Sequence, residues 1–185
     1  MRNNYFSKTV IVALMSGLIA GIVSAFFHTE QTTDIYGAWI PIFYQCNSFE
    51  IFIKSAFLTE FFIFAVLISG LFIFGYLLIL PINYFYGYTV GFVTTCALIC
   101  FGAYAVPFVC LKLPTFTVTM LLLHKISSLA TAFSSNILTD SPKEELRKKT
   151  GNYLCIGFLY CIITTAPFVY DSVLVPKILN LWDSF

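Results

Sequence analysis

"FFIFAVLISGLFIFGYLLILPINYFYGYTVGF", residues 61–92, contains no charged side chain. A membrane-crossing helix needs about 20 apolar residues, so this run is too long for one span and must hold the junction between two. Pro81 and Asn83 predict where: a span from about Phe61 to Leu80, a turn over 81–85, and a next span from about Tyr86 to Ala105. Asn83 is then expected to cap the turn, where freed backbone groups need partners.

The whole chain supports a lipid-facing reading. It has 185 residues, 59% hydrophobic and only 10% charged, with a net charge of +1; its mean hydropathy is +0.88. A soluble domain carries roughly a quarter charged residues. The excess apolar surface has no place in a soluble core, and the near-neutral charge gives no field for nucleic acid. The expected fold class is therefore all-α, a polytopic membrane helical bundle of about five transmembrane helices in one domain covering 1–185.

Outside the central run, "TVIVALMSGLIAGIVSAFF" (9–27) reads as a first span flanked by Arg2 and Lys8. "VSA" at 23–25 allows a secretory-signal reading, but the run is longer than a signal core and further spans follow. Residues 28–50 carry His28, Glu30, Asp34 and Glu50 without Lys or Arg, together with Tyr36, Trp39 and Tyr44. They read as an extracytoplasmic loop lying partly on the membrane. "FEIFIKSAFLTE" (49–60), with Glu50 and Lys54 at i,i+4 spacing, reads as an interfacial helix before the second span.

A fourth span is expected at about 113–133 and a fifth at about 153–171. Between them, "TDSPKEELRKKTGN" (139–152) is the strongly charged run. Ser141-Pro142 followed by two glutamates has the form of a helix start. Trp182 is placed to anchor the tail at the interface.

Arg2 and Lys8, then Lys143, Arg147, Lys148 and Lys149, belong in the cytoplasm by the positive-inside rule. The 139–152 loop is thus cytoplasmic and the acidic 28–50 loop is outside. An odd number of spans meets both conditions, with the N-terminus cytoplasmic and the C-terminus extracytoplasmic. There is no internal repeat to suggest an inverted-repeat transporter.

Small residues recur where helices could approach: Gly17 and Gly21, Gly70 and Gly75, Gly87 and Gly91. In lipid such residues let backbones touch, either within one bundle, at the face of a homo-oligomer, or against a partner's helix.

"SAFLTEFFIFAVLISGLFIFGYLLILPINYFYGYTVGF" (55–92) resembles the core of the stage II sporulation protein M family, with Ser69-Gly70, Gly75 and the Gly87-x-x-x-Gly91-Phe92 segment in matching order. The resemblance extends over about residues 50–140. The chain departs from it at Tyr86, where members often carry a basic residue, and after Pro114, where Thr115 and Phe116 follow. The resemblance implies a non-enzymatic scaffold in the bacterial cell membrane of an endospore former. It further implies single-span partners, the peptidoglycan-degrading sporulation proteins D and P, held together during engulfment.

Chemistry is sparse. No H-E-x-x-H, G-x-S-x-G or Walker-type loop is present, so no catalytic set, metal site or cofactor is expected. The six cysteines, Cys46, Cys96, Cys100, Cys110, Cys155 and Cys161, read mainly as small hydrophobes; only Cys46 with Cys110 or another chain has the setting for a disulfide. Four ionisable residues lie in or near the membrane: Glu60, Lys112, His124 and Lys125. Glu60 is either an interfacial acid or the partner of Lys112. His124 and Lys125 either lie inside a span, facing a wet cavity or an acid, or snorkel from a bent helix; the burden of charge in lipid favours the latter. Were Glu60, Lys112 and His124 to line one cavity, the chain would instead be a small-solute permease or the membrane subunit of a multicomponent transporter. Membrane lipid is a partner on either reading.

Overall fold

The computed structural model describes residues 2–27, 48–102, 105–138, 143–174 and 177. The 28–47 part of the acidic loop, the Ser141-Pro142 cap, Cys46 and Trp182 lie outside the described residues, as do the side chains of Glu50 and Lys54. Among the described residues five helices follow one another: α1 (Arg2–Phe27), α2 (Ser48–Gly70), α3 (Gly75–Phe101), α4 (Ala105–Leu138) and α5 (Lys143–Val169), the last running into a π-helical segment, Tyr170–Leu174. The fold is an all-α bundle. Among the described residues four stretches are long and apolar enough to cross a membrane: Lys8–Phe27, Gly75–Ile99, Ala105–Ser135 and Glu145–Val173. In α2 the apolar stretch whose side chains are described is Thr59–Gly70.

The junction between the two central helices lies ten residues earlier than Pro81 predicts. The chain turns at 71–74, and α3 runs unbroken through Pro81. Hence 61–80 and 86–105 are not the spans, the 49–60 segment is continuous with α2, and Asn83 is not a turn cap. Glycine overrides proline here for a steric reason. A Cβ on Gly75 would lie on the Ser69 carbonyl, so this reversal admits only a residue without one. Short backbone bonds close it, Phe72 N–H to the Ser69 carbonyl at 3.1 Å and Gly75 N–H to the Phe72 carbonyl at 3.0 Å. Ser134 of α4 donates to the Phe72 carbonyl at 2.8 Å, so groups that the turn frees are satisfied. Pro81 forgoes one intrahelical bond, which membrane helices tolerate where neighbours support them.

The other boundaries shift outward. The expected 113–133 span is the middle of α4, one helix through Pro114. The expected 153–171 span is the apolar part of α5, whose first turns hold the basic run, so the helix expected to start there continues into the span. At the end of α3, Gly102 adopts φ 54° and ψ −129° and its N–H bonds the Leu98 carbonyl, a positive-φ conformation that residues with a Cβ rarely adopt.

α1 and α3 make the closest contact in the bundle. Cβ atoms on Gly17 and Gly21 would strike the carbonyls of Tyr84 and Tyr88, and Cβ atoms on Gly87 and Gly91 would strike those of Leu14 and Leu18. Two Gly-x-x-x-Gly faces thus oppose each other backbone to backbone. The register rises together along both helices, so they are parallel. Ser24 and Tyr88 share a hydrogen bond at 2.8 Å beside this contact. Parallel α1 and α3 leave α2 antiparallel to both.

The main core joins α1, α2, α3, α4 and α5 through Val10, Leu14, Ile63, Val66, Ile79, Leu123 and Ile126, with Tyr153 at one end. Gly70 leaves room for the Tyr153 hydroxyl and for Ala130. Tyr153 stacks on Phe133 at 4.4 Å between ring centroids and donates to the Leu67 carbonyl at 2.7 Å. These contacts bring the start of α5 to the 71–74 turn, where α1 and α3 also begin. One end of the bundle therefore collects Arg2, Lys8, Lys143, Arg147, Lys148 and Lys149.

A leucine at Gly87 or Gly91 meets backbone that cannot rotate away. Each is expected to destabilise the bundle by about 1–3 kcal/mol or more. Gly151, inside α5 with open space around it, is the contrast: Gly151→Ala should be neutral or stabilising by up to about 1 kcal/mol. Unfolding of the purified variants in mixed micelles checks both.

Candidate functional site: buried polar contacts between the helices

In a lipid-facing bundle a buried polar group has no water to fall back on, so its partners decide what it does. α4 presents a polar ridge inward. Lys112, Thr115, Thr119, Ser127 and Ser134 repeat at helical spacing, and each is buried.

At the end away from the basic cluster, Lys112 Nζ lies 2.6 Å from Asp171 Oδ2, and Thr115 donates to Oδ1 at 2.8 Å. Both charges are out of solvent, Lys112 at 5% exposure and Asp171 at 1%. The Phe108 ring lies 6.0 Å from the ammonium. Asp171 sits in the π-helical segment after Pro167. Both carboxylate oxygens accept a bond, which is what a buried ion pair needs to offset desolvation. The site fastens the start of α4 to the end of α5.

One layer deeper, the Thr164 hydroxyl of α5 lies within hydrogen-bond distance of Glu60 Oε1 of α2, at 2.5 Å, and of the Cys161 carbonyl, at 2.7 Å, with one proton to share between them. The Cys161 thiol lies beside the same carboxyl group. Glu60 Oε2 is buried without a hydrogen-bond partner.

Toward the basic end, Asn83 of α3 is fully buried and donates to Ser127 of α4 at 2.8 Å and to the Ile79 carbonyl at 2.7 Å. Between these levels the buried Tyr86 hydroxyl meets Thr119. Lys112–Asp171 joins α4 to the end of α5, Glu60–Thr164 joins α2 to α5, and Asn83–Ser127 and Tyr86–Thr119 both join α3 to α4.

The sequence-selected residues therefore separate. Lys112 lies inside α4 and its partner is Asp171, so the Glu60–Lys112 pair, one of the two readings of Glu60, is not formed. His124 and Lys125 lie within the unbroken α4, His124 half-buried and Lys125 exposed, which replaces the bent-helix expectation. Gly17, Gly21, Gly87 and Gly91 join α1 to α3, Gly70 seats Tyr153, and Gly75 makes the turn. Among the described residues no group of three His, Cys, Asp or Glu side chains is placed to hold a metal.

Sequence reasoning missed Asp171, Thr115, Thr164 and Ser127. Asp171 gave the fairest signal, as a lone acid closing the apolar run after Pro167. The hydroxyls gave none, because serine and threonine satisfy themselves on the preceding turn in any membrane helix. No family model, no curated protein and no solved structure matches this chain.

Removing one partner of the buried pair leaves the other charge uncompensated. Asp171→Ala is expected to destabilise by about 3–5 kcal/mol, while the double change Lys112→Met with Asp171→Leu recovers most of that loss. A double-mutant cycle on unfolding midpoints measures the coupling.

Proposed function

We propose that this chain is a non-enzymatic integral membrane scaffold, as its resemblance to the stage II sporulation protein M family implies. It would lie in the bacterial cell membrane with its basic end, and so its N-terminus, in the cytoplasm and its C-terminus outside. Its partners would be single-span peptidoglycan-degrading proteins such as sporulation proteins D and P.

One observation carries the reading. The buried polar groups are bound to neighbouring helices at separate levels, Lys112 to Asp171, Glu60 to Thr164 and Asn83 to Ser127. Such bonds fix helix against helix, which suits a framework. The permease alternative asks Glu60, Lys112 and His124 to face one cavity, and two of them already have other partners. The outer surface meanwhile offers broad apolar faces, Ile11, Met15 and Ile19 on α1 and Phe158, Leu159 and Ile162 on α5. Lipid or a partner's helix can cover these equally well.

One feature favours the permease: Glu60 Oε2, a buried acceptor without a bond, in a span where ionisable groups mark ion paths.

The test places a photo-crosslinking residue at Ile19 or Phe158 in living cells. Capture of a single-span peptidoglycan hydrolase at these faces is expected. No such capture, together with solute uptake by proteoliposomes that Glu60→Gln abolishes, would replace the scaffold with the permease.

A further inference from the structure

Lys125 is exposed on α4 and makes no ion pair or hydrogen bond among the described residues. Its depth makes this unusual. Lys125 stands about 20 Å along α4 from Lys112 at a rise of ~1.5 Å per residue. In the other direction Phe133, about 12 Å away at the same rise, is level with Tyr153, on which it stacks. Tyr153 is one turn past Lys149, so the basic end lies about 18 Å from Lys125. The hydrocarbon core of a bilayer is about 30 Å thick, which puts Lys125 near its middle. A four-methylene stem spans roughly 6 Å at ~1.5 Å per bond, too short to carry the ammonium to either headgroup layer.

The acids whose side chains the structure describes are all engaged elsewhere. Of its nine acidic residues, Asp171 is buried on Lys112, Glu145 pairs with Lys149 at the basic end, and Glu60 turns inward to Thr164. Glu30, Asp34, Asp140, Glu144 and Asp183 fall in the polar or terminal runs of the sequence, and Glu50 in the first turn of α2, at a helix end.

The helix face around Lys125 also differs from the rest of the outer surface. Toward the basic end it continues through Ser128, Ala132 and Ser135, half-buried or exposed and all small, while toward the other end Leu121 and Val118 stand exposed.

We infer that this face of α4 receives the transmembrane helix of a different protein, one carrying a Glu or Asp near the middle of its span. The carboxylate supplies the counter-charge that the bilayer lacks, and the small residues let the two backbones approach. The inference deepens the scaffold reading and rests on it for the class of partner.

The experiment uses the full chain in phosphatidylcholine vesicles with a synthetic single-span poly-leucine helix bearing one central glutamate, followed by energy transfer. The glutamate helix should associate about tenfold more strongly than an all-leucine control, and Lys125→Leu should abolish that preference. The exchanged pair, Lys125→Glu with a lysine-bearing helix, should restore it and so separates lost attraction from lost folding. Equal association of both helices with the unaltered chain, or a preference that survives Lys125→Leu, overturns the proposal. Cell capture is read separately. A hydrolase held equally by Lys125→Leu removes this docking face and leaves the scaffold. A lysine-dependent preference in vesicles without any hydrolase in cells keeps the face and removes the scaffold.

Discussion

The contact between Gly17 and Gly21 on α1 and Gly87 and Gly91 on α3 sets the arrangement of everything else. Lipid chains are as apolar as leucine, so helices in a membrane gain little from burying apolar side chains against each other. What remains is dispersion and weak Cα–H to carbonyl contact at short range, and both grow only when backbones come close. Four glycines permit that, with the carbonyls of Leu14, Leu18, Tyr84 and Tyr88 lying where Cβ atoms would otherwise stand. The pairing fixes α1 parallel to α3. A chain joined in sequence can then reach α3 only through an antiparallel α2, and the sharp turn at 71–74 follows.

Polar bonds add the specificity that apolar contact in lipid does not give. Lys112–Asp171, Glu60–Thr164, Asn83–Ser127 and Tyr153 to the Leu67 carbonyl join residues 44 to 104 positions apart in sequence. A slip of one turn in any of these helices would leave a donor or acceptor bare in a medium that offers no substitute. The π-helical segment belongs to the same logic. Pro167 interrupts the regular backbone ladder just before Tyr170–Leu174, and the wider turn that follows carries Asp171 into the interior. Wide turns of this kind recur where a side chain has to be aimed.

These bonds leave an interior that is tied together and an exterior that is mostly plain. Lys125 is the exception. Its charge is as poorly suited to lipid as that of Lys112, yet it points the other way, and α4 thereby carries one cation for the bundle and one for whatever lies beside it.

Much of this was legible in the sequence. Charge sparsity and apolar runs dictated a membrane bundle, because solvent transfer depends on composition and not on detail. The glycine spacings marked the helix-packing faces, and the six basic residues marked one end. What the sequence could not decide were pairings. Pro81 and Gly70 through Gly75 both signal a turn, and only the steric demand at Ser69 selects between them. Lys112 could take Glu60 or Asp171, both within reach by topology, and the choice rests on which acid the π-helical turn brings within 2.6 Å. Local composition determines the medium in which each residue sits. Its partner depends on helix rotation and depth, which the packing of the whole bundle sets.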